Sequence, residues 1–169
     1  MKVELRKWTM DDCARMAEIC TLLDRSYLSD QLPDPYTEDS AAWWINMALE
    51  KEGKEGVFRA ILADGTVVGN ISVERKQDVY RQDAEIGYFL LTERWSKGIM
   101  TEAVRKICQE AFEQLDIIRI TGLVYAPNIA SRRVLEKNGF ELEGVLKNGV
   151  LKNGAVYDLC IYGKQKEPA

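Results

Sequence analysis

A change in hydrophobic period near residue 99 constrains the fold of this chain more than any other feature. Residues 83–91 alternate between polar and apolar side chains, which is typical of a β-strand with one buried face. Over residues 100–115 the apolar side chains recur at spacings of three and one, which predicts an amphipathic helix. Residues 117–125 then form a mainly apolar strand that ends before Pro127. This order predicts a βαβ unit.

The rest of the chain extends this unit into a larger sheet. Asp64-Gly65 between two apolar runs is a strong hairpin signal, and Thr9 and Thr37 are expected to cap two helices. We predict an α/β fold with a mixed, mostly antiparallel sheet and helices on both faces. The predicted strands are 2–7, 57–62, 66–73, 83–91, 117–125, 141–147 and 155–164, and the last two predicted helices are 100–115 and 128–138.

A near repeat, VLKNGVLKNG, joins the last two predicted strands at 145–154. Its two Asn-Gly pairs are expected to be turns within one connection rather than units of a repeat architecture. No linker or low-complexity stretch divides the chain. We therefore expect a single domain over residues 1–166, followed by a tail at 167–169.

The composition excludes several kinds of chemistry. The 169 residues contain no His, which removes Ser-His-Asp and Cys-His nucleophiles and most catalytic zinc sites. No metal site is expected, and proton transfer falls to carboxylates, Tyr, Lys, Ser, water or the α-amine. The net charge of −4 argues against a nucleic-acid partner.

The cysteines and the hydropathy indicate a cytoplasmic protein. The four Cys residues are scattered among apolar neighbours without a C-x-x-C pair, as expected for buried thiols in a reducing compartment. The first residues, MKVELRKW, lack the apolar run of a signal peptide. No stretch approaches the roughly 18 apolar residues of a membrane span.

Two junctions between strands and helices carry candidate binding residues. At the first, Gly98 permits close backbone approach to a ligand, and Arg94 and Lys97 add positive charge at a helix N-terminus that suits a phosphate. At the second, Asn128 and Ser131 lie at the start of a short helix, beside the carboxyl end of a strand. A plain turn and a capped helix explain the same residues structurally. The motifs G-x-x-x-x-G-K-[ST] and G-x-G-x-x-G are absent from the sequence.

The two junctions together resemble the GNAT acetyltransferase superfamily, and more narrowly its RimJ/RimL-like branch. The resemblance rests on EIGYFLLTERWSKGIMTEA at 85–103 and NIASRRVLEKNGFELEG at 128–144, with PDPYTEDSAAWWI at 33–45. It implies an acyl-CoA N-acyltransferase fold with a seven-stranded sheet, about four helices and splayed central strands. It also implies acetyl-CoA as the cosubstrate.

The resemblance carries over a set of donor-binding residues. It implies that the pantetheine arm pairs with backbone groups of Phe89, Leu90 and Leu91 and touches Asn128. Trp95 and Met100 depart from the strict phosphate-loop pattern, but backbone amides do the binding. The implied phosphate loop consists of Arg94, Trp95, Ser96, Lys97, Gly98, Ile99, Met100 and Thr101.

One departure affects the proposed catalytic groups. Many superfamily members have a Tyr seven residues after the Asn, where this chain has Leu135, which cannot donate a proton. Ser131 is then the better candidate to hydrogen-bond the departing thiolate. Glu85 is the candidate acceptor for the proton of the amine, with Glu74 and Asp83 as alternatives. A backbone amide near Leu90 is expected to polarise the thioester carbonyl.

The predicted activity is acetyl transfer from acetyl-CoA to a primary amine, either a protein or peptide N-terminus or a small molecule. The alternatives are a non-catalytic CoA-binding module and a polyamine or antibiotic acetyltransferase. A homodimer is also possible, whereas nucleic-acid and membrane partners are not expected. Aromatic residues that line either the acceptor site or the core are Tyr27, Tyr36, Trp43 and Trp44.

Overall fold

The strands predicted from period-two patterns form one seven-stranded sheet. The computed structural model describes residues 1–168. The strands are β1 (Val3–Arg6), β2 (Gly56–Ala63), β3 (Thr66–Arg75), β4 (Asp83–Leu90), β5 (Arg119–Tyr125), β6 (Glu141–Lys152) and β7 (Ala155–Gln165). The α-helices are α1 (Cys13–Leu22), α2 (Glu38–Lys51), α3 (Ile99–Gln114) and α4 (Ile129–Lys137). Thr37 caps α2, as predicted, because its side chain accepts a hydrogen bond from the Ser40 amide.

The central strand pair is parallel over only part of its length. The strand order is β1-β2-β3-β4-β5-β7-β6, and every pair is antiparallel except β4 with β5. Asp83–Ile86 pair with Arg119–Gly122, and beyond these residues the described chain shows no further pairing between the two strands. β4 continues along β3 as far as Leu90, while β5 continues along β7 as far as Tyr125. The prediction of splayed central strands is confirmed.

Helices cover both faces of the sheet. On one face, α3 and α4 pack against a core that includes Ile86, Ile107 and Leu135. On the other face, α1 and α2 enclose a second core that includes Trp8 and Ile45. Because side chains alternate along a strand, the two faces of β4 project into different environments.

The first hairpin follows the prediction. Asp64 and Gly65 have φ values of 49° and 84°, so both central residues of the two-residue loop are left-handed. This conformation matches the twist of the flanking strands. The loop therefore fixes the register of β2 against β3.

The prediction for the second hairpin is partly wrong. Asn153-Gly154 forms the turn, with φ values of 51° and 80°. Asn148, in the first Asn-Gly pair, instead lies inside β6, which extends to Lys152 rather than ending near residue 147. The register against β7 shifts between Leu146 and Val150, so this pair sits in a bulge and not in a turn.

Two observations concern the limits of the chain. Within residues 1–168, no helix is both long enough and apolar enough to cross a bilayer. The strands from Val3 to Gln165 all belong to one sheet, and the single domain over 1–166 stays a prediction. Residue 169 of the predicted tail lies outside the described residues.

Candidate active site

The candidate site lies in the gap between β4 and β5 beyond their last paired residues, Ile86 and Gly122. The Leu91 amide donates to the Val68 carbonyl of β3 at 3.0 Å. Because backbone groups alternate along a strand, Phe89 also faces β3, while Tyr88 and Leu90 face the gap. The expectation that backbone groups of Phe89, Leu90 and Leu91 all pair with a ligand is therefore corrected. Only Leu90 of these three directs its backbone into the opening.

Trp95 ties the following loop to the end of β4. Its indole Nε1 donates to the Leu90 carbonyl at 2.9 Å, so this carbonyl is already engaged. The Leu90 amide remains directed toward the gap. Trp95, which departs from the family's phosphate-loop pattern, thus has a structural role that orients the loop.

The loop before α3 presents its backbone amides to solvent. Ser96 and Gly98 have φ values of 60° and 78°, and these left-handed residues turn the chain into the helix. In residues 1–168, the amides from Ser96 to Thr101 have no protein acceptor. Lys97 is exposed and Arg94 is partly exposed. Free amides, a helix N-terminus and two cations together form a site that fits a phosphate group.

Two hydroxyl groups meet on the α3 and α4 side of the gap. Asn128 caps α4, since its Oδ1 accepts a hydrogen bond from the Ser131 amide at 3.3 Å. The Ser131 Oγ lies 2.5 Å from the hydroxyl of Tyr88 on β4. Burial raises the pKa of Tyr88 to about 12, so this phenol stays protonated at neutral pH. Sequence reasoning missed Tyr88 as a site residue, although the strand period places it on the same face as Ile86.

Leu135, seven residues after Asn128, is a packing residue. The side chain is 1% exposed and packs in the core beside the gap. A Cβ added to Gly122 would lie 2.8 Å from Leu135 Cδ1 and 3.4 Å from Ile86 Cγ2. Leu135 therefore fills the space over Gly122, which is the last residue of β5 that pairs with β4.

We expect Gly122→Ala to lower the free energy of unfolding by about 1–3 kcal/mol, because the added methyl group overpacks this contact. Gly144→Ala is the matched control, since a Cβ at Gly144 meets no atom within 4 Å. Denaturant unfolding of both variants measures the difference. Equal stability of the two variants would contradict the packing assigned to Leu135.

Glu85 lies on the opposite face of β4 from Tyr88, toward α1 and α2. It is exposed, and it stands directly opposite Glu74 in the antiparallel register. Desolvation raises the pKa of Glu85, the carboxylates of Glu74 and Asp83 raise it further, and Lys76 lowers it. The structure thus places Glu85 and Ser131 on opposite faces of β4, with Glu85 in the paired stretch just before the gap and Ser131 beside the gap.

Asp83 is less available than Glu85. Its carboxylate accepts hydrogen bonds from Lys76 at 2.6 Å and from the Thr121 hydroxyl at 2.8 Å, and it pairs with Arg119 at 3.3 Å. Three partners hold this group in place, so it serves as an anchor between β4 and β5. Of the acidic residues singled out from the sequence, Glu85 and Glu74 remain unpaired within residues 1–168.

Three tyrosines cluster at the end of the gap on the Glu85 face. The ring centroids of Tyr27 and Tyr125 are 6.1 Å apart, and Tyr157 lies 6.3 Å from each of them. Tyr27 comes from the segment between α1 and α2, which thereby contacts the far half of the sheet. Sequence reasoning identified Tyr27 but not its two partners, which come from β5 and β7.

The other aromatic candidates divide between core and surface. Trp44 packs edge-on against Trp8 and Phe58, with centroid distances of 6.3 and 5.9 Å. Tyr36 is buried, whereas Trp43 is 71% exposed on the outside of α2. Tyr36 and Trp44 thus belong to the second core, and Trp43 lies at the surface. Among residues 1–168, no group of three His, Cys, Asp or Glu side chains is arranged to hold a metal ion.

The sheet splays beside a helix N-terminus whose free amides fit a ligand that carries a phosphate group. A model of the acetyltransferase (GNAT) domain family matches residues 2–141. The chain belongs to this family, and the prediction from the two sequence motifs is confirmed.

The relatives extend the family assignment. The chain is 36% identical over 133 residues to "Putative ribosomal N-acetyltransferase YdaF" of Bacillus subtilis, covering 79% of this chain and 70% of YdaF. It is 42% identical over 101 residues to "Probable N-acetyltransferase YjcK" of the same organism. That match covers 59% of this chain and 55% of YjcK, so the chain spans about half the length of this relative.

A solved structure shows the same fold. RimL, described as a ribosomal L7/L12 α-N-protein acetyltransferase in complex with coenzyme A, superposes with a TM-score of 0.86 at 20% identity. The superposition covers 98% of this chain and 94% of RimL.

Proposed function

We propose that this protein transfers an acetyl group from acetyl-CoA to a primary amine, with the α-amine of a protein or peptide N-terminus as the preferred acceptor. The observation that carries the proposal is the continuity of the site. Unpaired amides before α3 follow the opening between β4 and β5, where Ser131 contacts Tyr88, and Glu85 lies in the paired stretch directly before this opening, on the other face of β4. The names of YdaF and RimL support a ribosomal or other protein acceptor.

The phosphate end of the donor fits the loop before α3. The amides from Ser96 to Thr101 bind the pyrophosphate, and Arg94 and Lys97 add charge. The Leu90 amide and Asn128 contact the pantetheine arm in the gap. Bound acetyl-CoA supplies the acetyl group as a thioester, which reacts with an amine directly.

Glu85 acts on the acceptor side. An N-terminal amine must lose a proton before it attacks, and Glu85 accepts that proton directly or through water. The raised pKa of Glu85 makes the carboxylate a stronger base than an ordinary one. The acidic surface formed with Glu74 also attracts a cationic amine.

Ser131 acts on the donor side. Its hydroxyl hydrogen-bonds the sulfur that departs, and the Leu90 amide polarises the carbonyl oxygen of the thioester. Leu135 has no hydroxyl and takes no part. The two roles therefore lie on opposite faces of β4. Glu85 accepts a proton on one face, and Ser131 donates a hydrogen bond to the thiolate on the other.

A panel of peptides tests the proposal. Release of the CoA thiol is measured with peptides that differ at the first residue, and mass spectrometry locates the acetyl group. The matched control is each peptide with a blocked N-terminus and a free lysine. We expect acetylation of the free α-amine only. Turnover on polyamines or aminoglycosides but not on peptides would contradict the acceptor, and tight binding without turnover would favour the non-catalytic module.

We also propose that the enzyme works in the cytoplasm and forms a homodimer. Within residues 1–168 all four Cys are free thiols, and Cys20, Cys108 and Cys160 are buried, which suits the cytoplasm. Exposed apolar side chains on the β6–β7 hairpin, such as Leu151 and Val156, support a homodimer contact. Sedimentation equilibrium measures the oligomeric state.

A further inference from the structure

We propose that Tyr88 is a positioning residue for the step in which the thiol leaves. Its phenol donates a hydrogen bond to Ser131 Oγ and so aims the Ser131 O–H at the departing sulfur. This inference rests on the proposed function in one respect, namely that Ser131 faces the thioester. It adds Tyr88 of β4 to the departure of the thiol, which has been assigned so far to Ser131 of α4.

The contact joins two elements that are distant in sequence. Tyr88 Oη and Ser131 Oγ lie 2.5 Å apart, although the residues are separated by 43 positions. The cap from Asn128 to the Ser131 amide fixes the first turn of α4. Tyr88 lies on β4 two residues beyond Ile86, the last residue paired with β5, and its backbone groups face the gap. Both hydroxyls are therefore placed by regular structure rather than by a loop.

The direction of the hydrogen bond follows from acidity. A phenol is more acidic than an alcohol, so Tyr88 donates and Ser131 accepts. The bond from Tyr88 keeps the Ser131 oxygen beside the gap and leaves its own hydrogen free for another acceptor. An accepted hydrogen bond also polarises the Ser131 hydroxyl and strengthens the next one.

The proton balance does not require Tyr88 to ionise. Glu85 takes the proton that the ammonium form of the amine loses before attack. The nitrogen loses its second proton to water as the new C–N bond forms, and the sulfur keeps the electron pair of the broken C–S bond. The Ser131 hydroxyl donates to that anion, and both hydroxyls retain their protons. Burial keeps the pKa of Tyr88 high, which agrees with a donor that stays neutral.

Kinetics of Tyr88→Phe test the role during turnover. We expect kcat to fall by roughly tenfold with an unchanged KM for acetyl-CoA, and Ser131→Ala to lower kcat by roughly 100-fold. The double variant is expected to match Ser131→Ala alone, because Tyr88 acts only through Ser131. Tyr162→Phe is the matched control, since this phenol bonds Arg132 and Glu136 of α4 at 3.0 Å each without touching Ser131.

A titration of bound CoA tests the same role without an acceptor. The ultraviolet absorbance of the thiolate is followed against pH with CoA bound to each variant. We expect the titration midpoint in Tyr88→Phe to rise by about one pH unit above that of the unchanged protein and of Tyr162→Phe. Thermal unfolding of each variant verifies that it is folded.

The outcomes separate this inference from the proposed function. An unchanged midpoint in Tyr88→Phe, losses that multiply in the double variant, or an equal loss in Tyr162→Phe would each overturn the role of Tyr88. If no peptide is acetylated but the midpoint moves as expected, the acceptor is wrong and the hydroxyl pair still stands.

Discussion

Gly98→Glu is expected to abolish measurable binding of CoA, with a loss of at least about 100-fold in affinity. Gly98 has a φ of 78°, and a Cβ there would point into open space in front of the unpaired amides. A glutamate places a negative charge where the pyrophosphate binds, and it opposes the partial positive charge of the α3 N-terminus. Isothermal titration calorimetry with CoA measures the effect.

Gly53→Glu controls for backbone strain in this experiment. Gly53 has the same φ of 78° and the same open surroundings, but it lies between α2 and β2. Both variants therefore lose similar stability from a left-handed residue, while only Gly98→Glu is expected to lose affinity. Similar CoA affinity in the two variants would show that the phosphate does not bind at this loop.

Glu85→Gln is expected to lower kcat by about 10² to 10⁴ while leaving CoA affinity intact, because the amide cannot accept the proton of the amine. Below the raised pKa of Glu85 the carboxylate is protonated, so the rate of the unchanged enzyme falls as the pH falls through a value above the usual carboxyl range. The pH–rate profile with a peptide acceptor measures both effects.

Two further measurements sharpen the test of Glu85. Glu74→Gln removes a like charge that raises the pKa of Glu85, so the acid limb of the profile is expected to move to lower pH. Glu85 binds its proton more tightly in the folded state, so stability is lost as pH rises toward the folded pKa and stays lost above it. Glu85→Gln therefore raises the melting temperature at pH 7. A rate loss in Glu74→Gln instead would identify Glu74 as the base.

Local patterns predicted those parts of the fold that neighbouring residues decide. The period of the apolar residues located α3 and its flanking strands, and Asp64-Gly65 fixed a hairpin because both residues adopt left-handed conformations readily. Gly98 was located in the same way, since a left-handed turn before a helix has a local signal. These features depend on a few adjacent dihedral angles.

The missed features depend on pairing between distant segments. Asn148-Gly149 and Asn153-Gly154 occur in the same five-residue sequence, yet one forms a bulge and the other a turn because β7 pairs differently with each. The Tyr88 hydroxyl reaches Ser131 only after β4 and α4 have packed together. A single sequence contains no local signal for such contacts.

The short parallel pairing at the centre of the sheet has a thermodynamic consequence. Within residues 1–168, strand pairing joins the half-sheet β1–β4 to the half-sheet formed by β5, β7 and β6 at four positions. A donor that occupies the gap contacts both halves and acts as a removable cross-link between them. At a ligand concentration of 100 Kd this linkage adds about 2.7 kcal/mol to the free energy of unfolding. The resistance of the two half-sheets to separation is therefore expected to depend on the concentration of the ligand in the gap.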